Sequence, residues 1–580
     1  MPKWRLKLFQ AIVIICLLII SGRLFYWQIL SRDRLQAIAQ IQHNTTTEIP
    51  ATRGKILATD NFPLVGNKPA YLVYVYLPDF TADPQEVSNL LAPILAPKPE
   101  DVEATPSAKV TKQLIVNTQQ ELYNKLSTQD YIWLPLKKQI SEADKNQIEA
   151  LNLDGIGFES NQIRAYPEAS MSAHLLGFVG SDANGRSKGY FGLEGYYDLE
   201  LKGKPGIISQ EKDPSGKPIL IGEFTDISSR DGRSLKLHLN RAIQKMVEEK
   251  LVKGVGQFGA KSGEVAIMDP KTGAILALAS WPAYAPENFS KFDQALYKNP
   301  LISDSYEPGS TFKVITMAAA IEEEAIKPDT KCTECSEPVE IGKFTIKTWN
   351  EEYHQDQTMG EVLERSDNVG MVFVGFKLGK DKFVEYIKKF GIGELTGIDL
   401  QEETTPSLRR RWGDIDLATG TFGQGLAVTG MQMLRAVAAI ANDGRLMEPH
   451  IVSQILGDKT IDIKPHEIKK VISKETADTV TDMMVNAANH GDAQWTALKG
   501  YNIAGKTGTS QIAIKGHYDE EKTIASFVGF APANDPKFTM IVKLKEPTTS
   551  QWASETAAPL WYSIAKDLFF YLNIPPQTQD

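Results

Sequence analysis

One apolar run limits how this chain can be laid out. After Lys3, Arg5 and Lys7 comes LFQAIVIICLLIISG (8–22), followed directly by RLFYWQIL (23–30). As a helix, residues 8–30 reach roughly 35 Å, enough to cross a bilayer. A cleaved leader needs a small-x-small site soon after its apolar core, whereas this core runs on into Arg23, Phe25, Tyr26 and Trp27. The expectation is an uncleaved anchor over 8–30, with a cytoplasmic tail of residues 1–7 and the rest of the chain outside the membrane. Arg23 is expected to snorkel to the outer interface.

Beyond the anchor, composition matters for what it argues against. The 580 residues allow three or four domains at about 150 residues each. Apolar residues make up 42% and charged residues 23%, which argues against long disorder. A net charge of −9, with no basic run after residue 7, argues against a nucleic-acid partner. Cys332 and Cys335 form CTEC outside the anchor, while Cys16 lies within it. A zinc site would need two further ligands and His354 is the only histidine nearby, so a local disulfide or two buried thiols is expected.

Residues 31–230 alternate short strand-like runs such as AYLVYVYLPDF (70–80) with turns, interrupted by the proline-rich LAPILAPKPEDVEATPS (91–107). They read as an extended, modular region. From 231 the pattern changes. DGRSLKLHLNRAIQKMVEEKLVKG (231–254) predicts a strand, Asn240 as a cap, and a helix stopped by Gly254. GEVAIMDPKTGAILALAS (263–280) predicts a hairpin. Helices are predicted at 310–323, 357–366, 370–390 and 430–442, the last capped by Thr429. Two strands within 523–544 and an amphipathic helix at 554–572 follow. Strands, then helices, then strands and a final helix make an α/β (α+β) sandwich on a mainly antiparallel sheet.

EPGSTFKVITMAAAIEE (307–323) sits in the middle of this pattern. Apolar residues cover nearly the whole predicted helix, so it is expected to be buried, with Ser310 and Lys313 on one face. The ordinary alternative is that Ser310 or Thr311 caps the helix and Lys313 reaches water. Ser-x-x-Lys also occurs at Ser209/Lys212 and Ser563/Lys566, so the pattern alone is weak. Its weight comes from order: Ser310-Thr311-Phe312-Lys313, then Ser366-Asp367-Asn368, then Lys506-Thr507-Gly508. That trio occurs in serine acyl-transferring enzymes that bind penicillin. A second Lys-Thr-Gly at 271–273 precedes the serine and falls in the predicted hairpin turn, so it takes a structural role.

Each residue type has a chemical reason to be there. A serine hydroxyl needs a base, and desolvation can turn Lys313 into one, with Lys506 as a second cation disfavouring its charge. Ser366 can relay a proton to the leaving group, and Asn368 can fix the lysine or a substrate amide. N–H groups at Ser310 and near Thr509 can hold an oxyanion. Thr507 and Thr509 offer hydroxyls to a substrate carboxylate. No cofactor and no metal is required.

With these motifs the chain resembles the class B penicillin-binding proteins, and most closely their division-associated type, over nearly its full length. RGKILATD (53–60), RAYPEASMSAHLLGFVG (164–180) and GYFGLEGYYDLEL (189–201) look like the family's pedestal signatures. FGQGLAVTGMQMLRAVAAIANDG (422–444) looks like its active-site loop and following helix. The resemblance implies a mainly β pedestal over 31–230 and a transpeptidase domain over 231–575. It implies Ser310 as the acylated nucleophile, Lys313 as its base, Ser366 and Asn368 as the second motif, and Lys506, Thr507, Gly508 and Thr509 as the third. The implied substrate is the D-Ala-D-Ala end of a peptidoglycan stem peptide, with β-lactams as inhibitors. A multi-span membrane glycosyltransferase and other division or elongation proteins are the implied partners. Ala58, Thr59, Asn61 and Phe62 depart from the usual opening of the pedestal, which loosens the subfamily assignment.

Rival readings share parts of this pattern. A class A β-lactamase carries the trio, but no Glu-x-x-x-Asn lies between 366 and 506 to hold a deacylating water. A β-lactam sensor or a silent scaffold that activates a glycosyltransferase would also sit at the membrane; the complete trio argues against silence. A D,D-carboxypeptidase, handing the acyl group to water, satisfies the same motifs.

Overall fold

The structure is a computed structural model that describes residues 3–35, 44–98, 108–128, 131–211, 224–514 and 517–577. Residues 99–107 of the proline-rich stretch, and Lys212 of one spare Ser-x-x-Lys pair, lie outside them. The chain divides into two compact units: Met1–Arg53 with Lys202–Gly232, and Gly54–Leu201 with Arg233–Asp580.

In the first unit the helix Lys3–Phe25 runs on as a π-helical turn, Tyr26–Leu30. The combined helix is long and apolar enough to cross a membrane, and none of its residues is buried. The Arg23 guanidinium lies 5.6 Å from the centre of the Trp27 ring, so cation and aromatic share one end of the helix. The same unit holds an antiparallel sheet of Asn44–Ile49, Gly206–Glu211 and Phe224–Ile227.

The second unit is built on a five-stranded antiparallel sheet. Its strands are β1 (Ser262–Met268), β2 (Ile275–Trp281), β3 (Ala504–Ile514), β4 (His517–Ala531) and β5 (Phe538–Lys545), in the order β2-β1-β5-β4-β3. Side chains alternate across it. Val265, Ile267, Phe527 and Val542 pack with α1 (Arg241–Phe258) and the terminal helix Ala557–Tyr571. Ala266, Met268, Val528 and Ile541 face the opposite way, toward the core that holds the central helices.

Local chemistry explains the elements. The Asn240 side chain accepts from the amides of Ala242 and Ile243 to start α1. Gly254 does not stop that helix, which runs on to Phe258 and ends at left-handed Gly259. A Cβ at 254 would lie 2.8 Å from Leu560, so glycine is there to let the two helices approach. The predicted helix over 370–390 is two helices, Asn368–Leu378 and Lys380–Lys389, separated at Gly379. The 271–273 Lys-Thr-Gly is a turn: Asp269 accepts from the Lys271 amide and the Thr272 hydroxyl, and Lys271 pairs with Asp535.

A second sheet runs across this unit. Ser234–Leu237 pairs in parallel with Ile56–Leu57 and antiparallel with Val452–Leu456, and Ile56–Leu57 continues the sheet into Pro63–Tyr76. Three helices, Pro84–Leu95, Ala108–Leu126 and Glu142–Glu149, also lie before residue 150. The three stretches read as pedestal signatures meet at one buried ion pair. Arg164 Nε donates to Glu194 Oε1 at 2.7 Å, its Nη1 to Asn67 Oδ1 at 2.7 Å, and its Nη2 to the Gly54 carbonyl at 2.6 Å.

Truncating one partner strands the other charge in a dry interior. Glu194→Ala is therefore expected to destabilise the unit by about 3–5 kcal/mol. Replacing both with apolar residues of similar volume, Arg164→Met with Glu194→Leu, is expected to recover most of that loss. Denaturant unfolding of the three proteins checks both outcomes.

Candidate active site

The sequence between Tyr306 and Glu322 folds as an approach strand, a tight turn and a buried helix. Ser305–Tyr306 pairs with Val428–Thr429; a 3-10 turn at Gly309–Phe312 then leads into α2 (Lys313–Glu322). No side chain caps that helix, and the Thr311 hydroxyl instead donates to the Pro308 carbonyl at 2.7 Å. Gly309 is left-handed, and a Cβ there would sit 3.0 Å from the Thr509 carbonyl. Only glycine lets this turn and the edge strand β3 come so close.

Lys313 does not reach water. Its side chain is fully buried. Its Nζ lies 2.6 Å from the Ser366 carbonyl, 2.8 Å from Asn368 Oδ1 and 3.3 Å from Ser366 Oγ. Among the described residues it makes no hydrogen bond to Ser310 Oγ, although both leave one stretch of helix. Burial holds the Lys313 ammonium well below the usual lysine range, nearby Lys506 adds repulsion, and Asp367 and Asp492 oppose both effects.

The second motif is a shaped turn. Ser366 is left-handed, with φ +56°, which costs a non-glycine residue on the order of 1 kcal/mol. It links the helix Met359–Glu364 to α3 (Asn368–Leu378), and its carbonyl is turned onto Lys313. Asp367 caps α3 by accepting from the Val369 and Gly370 amides, at 2.8 and 3.3 Å. Gln357 also donates to the Asp367 carboxylate. Asn368 thus starts the helix with Oδ1 on Lys313 and Nδ2 donating to the Lys347 carbonyl at 3.1 Å. Behind the turn, Cys332 and Cys335 are joined by a disulfide. The Cys332 amide donates to the Gln357 carbonyl at 2.8 Å, so the cross-linked loop holds the segment that holds Asp367.

Lys506, Thr507, Gly508 and Thr509 lie on β3, at the edge of the sheet, which leaves one side of the strand without a sheet partner. Lys506 is buried, and burial brings it down to about 8, with Asp492 opposing. Its Nζ lies 3.2 Å from Thr507 Oγ1. Gly508 passes where a Cβ would be 2.8 Å from the Pro308 carbonyl. The Thr509 hydroxyl accepts from the Ala553 amide at 3.0 Å, as the Thr507 hydroxyl accepts from Lys506. The fold thus gathers all three motifs, separated along the chain, around Lys313.

Two features escaped the sequence. Asp492 follows the helix Lys474–His490 and lies within electrostatic reach of both lysines. A lone aspartate in His-Gly-Asp-Ala gives no periodic or motif signal. Trp349 and Trp552, on separate loops beside Asn368 and Thr509, pack with ring centres 5.3 Å apart. The spare Ser563/Lys566 pair is exposed on the terminal helix, where Ser563 Oγ accepts from Lys250.

Comparison with known proteins agrees with this geometry. Residues 263–568 match the penicillin binding protein transpeptidase domain, and residues 48–237 match the penicillin-binding protein dimerisation domain. The chain is 33% identical to stage V sporulation protein D of Bacillus subtilis, over 97% of this chain and 85% of that protein. It is 27% identical to peptidoglycan D,D-transpeptidase FtsI of Escherichia coli, over 99% of this chain and 93% of that protein. A peptidoglycan synthetase crystal structure from Bifidobacterium adolescentis superposes with a TM-score of 0.72 at 26% identity, covering 93% of this chain and 98% of the other. With the transpeptidase domain matched over more than half its length, and the dimerisation domain ahead of it, the chain belongs to the class B penicillin-binding proteins.

Proposed function

We propose that this chain is a membrane-anchored peptidoglycan D,D-transpeptidase that works through a serine acyl-enzyme. The observation that carries the reading is the fully buried Lys313, whose Nζ is held between Ser366 and Asn368 and kept well below the usual lysine range. The names of relatives that span the whole chain support the reaction class.

Lys313 Nζ donates to the Ser366 carbonyl and Asn368 Oδ1, with Ser366 Oγ 3.3 Å away, and burial with the nearby Lys506 favours its uncharged form. When a stem peptide enters, the Ser310 hydroxyl gives its proton to Lys313 as Oγ attacks the carbonyl of the penultimate D-Ala. The tetrahedral oxyanion is held by the amides of Ser310 and Thr509. As the C–N bond breaks, the proton passes by way of Ser366 to the nitrogen of the departing D-Ala. The ester on Ser310 is then attacked by an amine of a neighbouring stem, with the same groups moving its proton. Lys506 as a cation, with the Thr507 hydroxyl, takes the substrate carboxylate. The apolar N-terminal helix supports single-pass anchorage, N-terminus inside and the site on the side where the polymer lies. A multi-span membrane glycosyltransferase is the fitting supplier of strands.

Three outcomes are expected. First, the detergent-solubilised full chain gains the mass of penicillin, and Ser310→Ala does not; an adduct that persists in the variant would falsify the nucleophile assignment, and rapid loss from the wild type would favour a hydrolase. Second, Lys313→Met slows acylation by about 10²- to 10⁴-fold, the usual worth of a positioned base. Third, acylation has two pH limbs. It falls toward acid as Lys313 takes up a proton, and falls again as pH rises through about 8 and Lys506 loses its charge. Asp492 favours the charged form of Lys506, so Asp492→Asn moves the alkaline limb below about 8. An unmoved limb in the acylation-rate profile assigns it to another group.

A further inference from the structure

A row of buried polar residues crosses the five-stranded sheet behind the site. Glu264 on β1 lies directly opposite Lys543 on β5, Lys543 opposite Ser526 on β4, and Ser526 opposite Gly508 on β3. All four face the active-site side of the sheet. Glu264 and Lys543 are each 4% exposed and their charged atoms are 2.7 Å apart. The Ser526 hydroxyl donates to the Gly508 carbonyl at 3.2 Å. Lys543 Nζ also sits 4.6 Å from the centre of the Tyr306 ring, four residues ahead of Ser310. The Tyr306 phenol is buried near the Ser526 hydroxyl but meets no partner in hydrogen-bonding geometry among the described residues.

A buried ion pair is weak evidence for stability, because well-packed apolar residues usually do as well. What it supplies is register. Shifting β1 or β5 by one residue would turn Glu264 or Lys543 to the opposite, apolar face and separate the charges, and shifting β4 would turn the Ser526 hydroxyl away from Gly508. From this geometry we infer that Glu264, Lys543, Ser526 and Tyr306 form a positioning device: it fixes β3 at Gly508, and the Ser310 turn through Tyr306, against a common reference. These are positioning residues, since none reaches the place where substrate would lie. The inference rests on the assignment of Ser310 as nucleophile and deepens it, by naming what sets the gap between the serine turn and the third motif.

The test uses the full chain in detergent with Ser526→Ala, the double variant Glu264→Met with Lys543→Met, and the triple variant. The double variant leaves no unpaired charge, so it separates placement from stability. The expected result is a melting temperature near wild type in all three, with penicillin acylation slowed by about 10- to 100-fold and the triple variant no slower than the worse of the others. Amide hydrogen exchange over residues 504–511 is expected to quicken in the same variants. Wild-type acylation rates, losses that merely follow melting temperature, or effects that add independently overturn the device. If the wild-type chain takes up no penicillin, the nucleophile assignment fails, and unchanged exchange over 504–511 then overturns the device separately.

Discussion

The burial of one ammonium group organises this site. A lysine removed from water strongly disfavours its charge, and Lys313 Nζ is held by the turned carbonyl of Ser366 and the amide oxygen of Asn368, with the Ser366 hydroxyl 3.3 Å away. Placing them requires the rest of the turn. Ser366 adopts a left-handed conformation, Asp367 caps the helix that begins at Asn368, and Gln357 with the disulfide-linked loop steadies Asp367. The strained residue and the buried lysine are therefore one feature seen from two sides.

Close approach of backbones does the remaining assembly. Gly309 and Gly508 stand where a Cβ would meet the Thr509 and Pro308 carbonyls, so the serine turn and the edge strand approach main chain to main chain, with the Thr311 side chain against Gly508. Contacts of that kind have no slack, and a small slip of the sheet would reach Ser310 undamped. A polar row that holds the strands in register therefore bears on the placement of Ser310. The same packing leaves β3 at the edge of the sheet, without a strand partner on its outer side.

Much of this was legible in the residues. The hairpin at 263–280, the cap at Asn240, the cap at Thr429 and the two late strands follow from local patterning, and the structure has all of them. The misreadings share a cause. Gly254 and Gly379 look alike in sequence, yet one lies inside a helix because Leu560 presses on it and the other ends one. The helices at 84–95, 108–126 and 142–149 lie in a stretch that reads as strand-like runs and turns with a proline-rich interruption from 91, although Pro84 begins the first helix and Pro93 lies inside it.

The sequence by itself determined the long apolar N-terminal helix and the residue types and order of the three motifs, because hydropathy and spacing are properties of a one-dimensional string. Tertiary structure alone decided that Lys313 turns toward Ser366 and Asn368 rather than toward Ser310 or water. It alone brought Asp492 within reach of both lysines and set Glu264 opposite Lys543. Those outcomes depend on distances between segments far apart in the chain, and desolvation, Coulomb interactions and strand register exist only once the fold has brought the segments together.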